Sequence, residues 1–379
     1  MAETAAPASW AASLPDPTTA ARLVVVVMAG GSGTRFWPAS RRDRPKQLLS
    51  LLSDETLLAA TVARVAPICP PERTLVVTAA RLVEASRAAL PSLPPGHVLG
   101  EPIARNTAPC LALAAIASLQ LRPDAIVALL PADQHVADAD GFRAALLCAA
   151  EATRDNGIAT LGVEPTHPET GYGYIEVGAR GDDGCHDVVR FVEKPDLERA
   201  VGFLLGKRHL WNAGVFVGRA DTLLAAADAA LPDLATAMDP LRSARAGAFT
   251  SPSFAAALAE TFARAPSISI DHGIMEQRTD LRVVPLRAGW SDVGSWRSLL
   301  DLRPDDATSG GNYVRGDVVA VDCEGCVLVG ERNVVAAVGM RDVAVVSTDD
   351  AVLVLPLDRS QDVRAVVAAL EAAGRTDLL

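Results

Sequence analysis

Lysine is nearly missing from this chain. Of its 379 residues only Lys46, Lys194 and Lys207 are lysines, while arginines number 32. The two cations together are still outnumbered by acids, 35 to 46, which leaves a formal charge of −11. A chain with that balance is a poor general binder of nucleic acid or of an anionic membrane, so any anionic ligand needs a local cluster of cations. Long apolar runs are missing as well. The nearest candidate, Leu111–Leu121, is interrupted by Ser118 and Gln120 and is too short to span a bilayer. The N-terminal stretch has neither a basic start nor an unbroken apolar core, so no secretory signal is expected; residues 1–20 are read as a disordered tail and the protein as cytoplasmic. Six dispersed cysteines make no disulfide framework and suit buried thiols in a reducing compartment. Cys323 and Cys326 form one CxxC pair, but no second pair or nearby histidine completes a zinc site, and no two histidines stand at metal-ligand spacing.

What is present is a globular balance, with 50% hydrophobic and 21% charged residues. The length suits two domains, or one large α/β domain with an appendage. Beta-branched runs at Leu23–Met28, Thr74–Thr78, Ala125–Leu130 and Ile158–Val163 alternate with helical stretches such as Thr107–Ser118 and Phe142–Thr153. That alternation predicts crossover units around a mixed, mainly parallel sheet, in a domain spanning residues 21–303. A further strand is expected at Leu281–Leu286. Beyond Arg303 the texture changes. Between Gly316 and Pro356 the runs DVVAVD, CVLVG, VVAAVG, VAVVST and AVLVLP follow one another as short strands, then a helix is expected over Ser360–Ala373 with Asp362 in its first turn. Residues 304–379 are therefore read as a small β-rich, β-helix-like appendage.

The first apolar run leads into AGGSGTRFWPASRRDRPKQ. Gly30, Gly31 and Gly33 permit a close backbone approach to phosphate oxygens, with the amides of Ala29 and Thr34 beside them. The spacing is neither that of a P-loop nor that of the dinucleotide fingerprint, which disfavours a hydride-transferring enzyme. From Arg22 to Lys46 six cations accompany one acid, Asp43. An ordinary tight βα turn with a solvated basic face would look similar; Arg35 and Lys46 tip the choice toward a phosphate site.

These residues resemble the signature of the sugar-nucleotide pyrophosphorylases, in particular the mannose-1-phosphate guanylyltransferases with their Phe-Trp-Pro and Pro-Lys-Gln. Further segments agree in order: GEPIARNTAPC at Gly100, LLPADQHV at Leu129, ETGYGYIEVG at Glu169, FVEKP at Phe191, WNAGVFV at Trp211, SIDHGIME at Ser269 and WSDVGSW at Trp290. The resemblance implies a Rossmann-like nucleotidyltransferase fold and an attack of mannose 1-phosphate on GTP, yielding GDP-mannose and pyrophosphate, in a homodimer that binds neither nucleic acid nor membrane. Another sugar 1-phosphate, another nucleoside triphosphate, or a non-catalytic sugar-nucleotide-binding subunit are the alternatives.

By that resemblance Arg35 and Lys46 hold the leaving phosphates, while Arg105, Asn106 and Thr107 belong to nucleotide recognition. Asp133 and Asp292 bind Mg²⁺, Lys194 takes the sugar phosphate, and Gly173, Glu193, Asn212 and Asp271 line the sugar. Taken alone, Asp133, Asp292, Asn106 and Thr107 serve equally well as helix caps, and Glu193–Lys194 as a solvated strand edge. Gln134 and Gln277 depart from the family's usual His and Lys. Lys207 has no such context and reads as a surface residue. Some relatives carry a longer second domain that isomerises mannose 6-phosphate; residues 304–379 show no metal-ligand cluster and are expected to be structural or dimer-forming.

Overall fold

The computed structural model describes residues 16–31, 33–302 and 310–379. The chain divides into two compact units, neither continuous in sequence. One takes in the chain through Gly30, Val62–Pro131 and Val136–Trp290; the other takes in Gly31–Thr61, Ala132–His135 and Ser291–Leu379. The boundary expected at 303/304 falls outside the described residues. Most of the expected tail does too, but its end is ordered by local chemistry. A helix runs over Pro17–Arg22, with proline in its first turn and the Asp16 carboxylate accepting from the Thr18 amide at 2.9 Å.

The first unit is built on β1 (Leu23–Ala29), β2 (Thr74–Ala79), β3 (Val98–Glu101), β4 (Ile126–Pro131), β6 (Ile158–Val163), β7 (Tyr174–Arg180), β8 (His186–Val192), β9 (His209–Arg219) and β10 (Leu281–Leu286). Two-residue strands, β5 (His135–Val136) and β11 (Trp290–Ser291), stand where the chain passes from one unit to the other. The nine larger strands form one sheet in the order β3-β2-β1-β4-β9-β6-β10-β8-β7. Strands β3, β2, β1 and β4 are mutually parallel, β9 runs antiparallel to both β4 and β6, and β10 is parallel to β6. Leu23 to Val27 are wholly buried, as their unbroken apolar run requires in a strand covered on both faces. The helix over Thr107–Leu121 is likewise buried from Ala108 to Ser118, which its small residues allow.

Strand order reverses beside β1, with β2 and β3 on one side and β4 on the other. Open α/β sheets bind ligands outside the carboxyl ends of the strands at such a reversal. Here β1 ends at Ala29, β3 at Glu101 and β4 at Pro131.

In the second unit β12 (Tyr313–Val321), β13 (Val327–Val338) and β14 (Val343–Ser347) are parallel neighbours with no helix between them, and β15 (Val352–Pro356) closes the sheet antiparallel to β14. Tyr313 pairs with Val327 and Val327 with Ala344, so successive rungs stack as in a β-helix. The runs CVLVG and VVAAVG, expected as separate strands, are one strand, β13. Its register slips past β12 where Gly330, opposite Gly316, turns the corner. The closing helix starts later than expected, at Val363, after a 3₁₀ stretch over Leu357–Asp362. Asp362 does not cap it, because its carboxylate accepts from Arg359 Nε at 2.7 Å.

The larger of two apolar clusters in this unit joins its separate segments. Phe36, Trp37, Leu49 and Leu51, from the segment after the glycines, are buried with Trp296, Tyr313, Val327, Val346 and Leu357. The Trp37 indole donates to the Leu378 carbonyl at 2.8 Å, the Trp296 indole donates to the Trp37 carbonyl at 3.2 Å, and the Phe36 and Trp296 rings meet edge-on at 5.0 Å. The glycine segment and the C-terminal strands are thus one folding unit.

The rung corner supplies a stability test. Gly316 sits at φ 79°, and a Cβ there would overlap the Gly330 carbonyl. Gly339 has φ 67° with open space around it. Gly339→Ala should therefore cost about 1 kcal/mol, the conformational penalty alone, and Gly316→Ala about 2–3 kcal/mol more. Urea unfolding of both variants checks the order; equal losses would remove the steric account of the corner.

Candidate active site

In the second unit the chain leaves Gly33 at φ 60° and winds one 3₁₀ turn over Thr34–Phe36. A Cβ at Gly33 would collide with the backbone and Cβ of Lys46, so glycine is what lets the loop lie against that lysine. Lys46 is only 6% exposed. Its ammonium donates to Asp133 Oδ2 at 2.9 Å and to the Asp292 carbonyl at 2.5 Å, tying together three segments distant in sequence. Four of the five residues that the resemblance makes catalytic, Arg35, Lys46, Asp133 and Asp292, lie in this unit. Arg35 is half-buried and has no ion-pair partner among the described residues.

The broad basic cluster expected beside the glycines is narrower than its composition implied. Arg41 pairs with Asp350 at 2.7 Å, Arg42 with Glu371 at 2.9 Å and Arg44 with Glu331 at 3.5 Å, all acids of the C-terminal stretch. Arg22 belongs to the other unit and pairs with Asp124. Arg35 and Lys46 are left as the cations next to the glycines.

The first unit gathers the remaining residues into two places. In one, Asn212 Nδ2 donates to Asp271 Oδ1 at 3.0 Å, while the Thr160 hydroxyl and the Gly214 amide donate to Asn212 Oδ1. The Asn212 amide donates to the Gly173 carbonyl at 2.8 Å, and a Cβ at Gly173 would lie 2.7 Å from Glu193 Oε2. Glu193 has a side chain 8% exposed and pairs with Lys194, whose own side chain is 61% exposed. Gly173, Glu193, Lys194, Asn212 and Asp271 therefore form one cluster. Burial, reinforced by repulsion from Glu193, pushes the Asp271 carboxyl up to about 6. Glu276 joins the cluster, accepting from the Glu193 amide at 3.1 Å and from His272 at 2.9 Å.

The second place is the end of β3. Arg105 turns its guanidinium to the carbonyls of Phe262, at 2.9 Å, and Ala263, at 3.1 Å, where it complements the end of the helix over Pro252–Arg264. Asn106 occupies the cap position of the helix over Thr107–Leu121, and the Thr107 hydroxyl accepts from the Ile270 amide at 2.9 Å. The tasks observed for these three side chains are local ones.

Glu101, by contrast, was absent from the sequence expectations. It is 9% exposed, its Oε1 has no hydrogen-bond partner, and its Oε2 lies 3.8 Å from where a Cβ of Gly30 would stand. Burial pushes its carboxyl up to about 7. It closes β3 and lies within the segment GEPIARNTAPC, where its being the one acid was the signal that could have singled it out.

Backbone strain marks the same segments. Asn106 (φ 64°), Lys194 (φ 44°) and Val293 (φ 48°) adopt left-handed conformations without being glycine, and for the β-branched Val293 this is a marked departure. Such strain persists where surrounding packing over-determines it and is concentrated at functional sites. As for a metal, no group of three or more His, Cys, Asp or Glu among the described residues is disposed to hold one alone. Asp133 and Asp292 lie in the same unit, both tied to Lys46, and carboxylate oxygens are the donors that a hard divalent ion takes.

The chain matches the "Nucleotidyl transferase" family model over residues 24–309 and the "MannoseP isomerase/GMP-like beta-helix domain" model over residues 316–370. It is 41% identical over 353 residues to the xanthan biosynthesis protein XanB of Xanthomonas campestris pv. campestris (strain B100), covering 93% of this chain and 74% of that protein. It is 38% identical over 361 residues to the mannose-1-phosphate guanylyltransferase of Escherichia coli (strain K12), with coverage of 93% and 74%. Among solved structures, a mannose-1-phosphate geranyltransferase from Thermus thermophilus superposes with a TM-score of 0.82 at 38% identity, covering 92% of this chain and 99% of that one. No helix among the described residues is long and apolar enough to cross a membrane. The chain belongs to the nucleotidyl transferase family and carries a C-terminal β-helix domain of the mannose-phosphate isomerase/GMP-like type.

Proposed function

We propose that the chain transfers the guanylyl group of GTP to α-D-mannose 1-phosphate, giving GDP-mannose and pyrophosphate. The names of its relatives support the substrates. The convergence of Asp133 and Asp292 on the buried ammonium of Lys46 carries the chemistry. The attacking oxygen belongs to a sugar phosphate already ionised near neutral pH, so no general base is needed. The residues have instead to hold two repelling anions in line and offset the charge that grows on departing pyrophosphate.

In this reading Arg35 presents its fork to the triphosphate and Lys46 supplies a compact charge to the leaving phosphates, with the backbone of Ala29, Gly30, Gly31, Gly33 and Thr34 alongside. Asp133 and Asp292 would hold Mg²⁺, which when bound supplies Lewis-acid neutralisation of phosphate charge. Lys194, exposed and next to the buried Glu193, takes the phosphate of mannose 1-phosphate. Asn212, Asp271 and Glu193 take sugar hydroxyls, in space that Gly173 leaves open. A non-catalytic subunit would have lost one of Arg35, Lys46, Asp133, Lys194 or Asp292, and all are present. The reading also includes a cytoplasmic location and a homodimer, the latter open to sedimentation analysis.

Glu101 supports guanine as the base. Guanine places an N1–H beside a 2-amino N–H, a donor pair that a carboxylate accepts with two oxygens, and Oε2 of the Glu101 carboxylate lies 3.8 Å from where a Cβ of Gly30 would stand. Only the ionised carboxylate can accept both bonds.

Three outcomes are expected. Pyrophosphate release across a panel of nucleotides and sugar 1-phosphates should be fastest for GTP with mannose 1-phosphate, and a preference for UTP with glucose 1-phosphate would overturn the assignment. Asp133→Ala and Asp292→Ala should each lower kcat by ~100-fold or more with the circular dichroism spectrum unchanged; near-normal turnover in both would remove them from the chemistry. Finally, because the Glu101 carboxyl is raised to about 7, the KM for GTP should climb as pH falls through that value. Glu101→Gln should flatten this dependence and raise KM about 10- to 100-fold, the effect of an unmade buried hydrogen bond. A Glu101→Gln profile that still tracks the wild type would exclude it from base recognition.

A further inference from the structure

Cys323 and Cys326 are neighbours by sequence, and the structure brings a second pair of cysteines together. Cys323 Sγ points to the Val321 carbonyl at 3.5 Å and Cys326 Sγ to the Glu324 carbonyl at 3.4 Å, each thiol spent on its own backbone. In the first unit, Cys148 and Cys185 place their sulfurs 3.8 Å apart, in van der Waals contact. Cys148 lies on the helix over Ala139–Ala152 and is half-buried; Cys185 is buried in the turn that leads into β8.

We propose that Cys148 and Cys185 form a reversible oxidative modification site, in which Cys148 reacts with a peroxide and Cys185 resolves the product into an intramolecular disulfide.

Three observations support this division of labour. Cys148 is the only one of the six cysteines that is not buried, so a small oxidant reaches it first. The contact with Cys185 pulls the Cys148 thiol below its ordinary range and pushes Cys185 up, which favours Cys148 as the attacking sulfur. Arg282, fixed by Asp183 at 2.9 and 3.1 Å, adds to the lowering of Cys148, while burial and the charges of Asp183 and Glu151 oppose it, and Cys148 Sγ also faces the Asp183 carbonyl at 3.6 Å. Closing from 3.8 Å to a bond length of about 2.05 Å requires movement, and the turn can provide it: Gly184, next to Cys185, sits at φ 83°.

The atoms balance. The Cys148 thiolate attacks one oxygen of hydrogen peroxide, the O–O bond breaks, and hydroxide leaves to give a sulfenic acid. The Cys185 sulfur then attacks Cys148 Sγ, the S–O bond breaks, and the departing hydroxide with the Cys185 proton forms water. Overall, two thiols and one hydrogen peroxide become one disulfide and two waters. The bond would staple the helix to β8, whose far end leads into Glu193 and Lys194.

The test is peptide mapping of the full-length protein, treated with hydrogen peroxide in the folded state, quenched with N-ethylmaleimide and digested with trypsin without reductant. Residues 144–154 (AALLCAAEATR) should appear cross-linked to residues 181–190 (GDDGCHDVVR), and dithiothreitol should abolish the species. The melting temperature should rise on oxidation and fall back on reduction. In Cys185→Ser, Cys148 should proceed to sulfinic and sulfonic acid. Should that buried substitution impair folding, Cys148→Ser gives the complementary result, with Cys185 left as a thiol. Absence of the cross-linked species, cross-linking of Cys148 to another cysteine, or selective oxidation within residues 316–332 instead would each overturn the proposal.

Discussion

A buried ammonium group must find acceptors or lose its charge, and Lys46 finds them in two places that sequence keeps far apart: the carboxylate of Asp133 and the backbone carbonyl of Asp292. Much of the second unit follows from satisfying that group. The glycine loop can lie against Lys46 only because Gly33 lacks a Cβ. The chain around Asp292 is bent through the left-handed conformation of the buried Val293, a strain that only tight surroundings can hold. The ammonium thereby fixes the two aspartate segments against the glycine loop.

That constraint changes what the C-terminal strands are for. The segment from Phe36 to Leu51 has too little apolar surface to fix its own conformation, and it gains a core by packing with Trp296 and the β-helix rungs. The indole bonds of Trp37 and Trp296 then set its orientation. The ion pairs of Arg41, Arg42 and Arg44 are largely exposed, and pairs of that kind contribute about 0–1 kcal/mol each. Burial supplies the stability, and the ion pairs choose which acids face which arginines. The rungs are therefore the scaffold of the segment from Phe36 to Leu51.

The sequence made some of this legible and hid the rest for identifiable reasons. Strands β1 and β4 were readable because a strand covered on both faces is an unbroken apolar run, and β2, β6 and β10 because β-branched and apolar residues dominate them. The hairpin of β7 and β8 mixes exposed and buried positions and carries no such run. Segments 31–61 and 132–135 join the C-terminal unit through contacts whose partners lie hundreds of residues away, which no local pattern encodes. Counting charges between Arg22 and Lys46 overstated the basic cluster, because the acids that pair with its arginines arrive from Glu331, Asp350 and Glu371. Glu101 went unnoticed since one acid at the end of a four-residue strand is unremarkable until burial isolates its oxygen. The contact of Cys148 with Cys185 was hidden because 37 residues separate them in sequence and only the tertiary fold joins them.

The scarcity of lysine takes on a physical sense in this light. A guanidinium is a broad planar fork suited to two parallel acceptors, whereas the acceptors at Lys46 converge on one nitrogen from different segments, at 2.9 and 2.5 Å. A chain that uses arginine almost everywhere keeps a point charge there because the geometry admits nothing wider. Lys194 is the reverse case, exposed on a strained backbone turn beside a buried carboxylate, where a flexible stem can reach outward. Lys207 caps a helix in the left-handed conformation at the surface and has neither setting. Two anionic substrates approaching a protein of net charge −11 would meet few uncommitted cations. Lys46 already answers to the Asp133 carboxylate and the Asp292 carbonyl, so much of its charge is spent, and a divalent cation held by carboxylate oxygens would supply the positive charge still to be found.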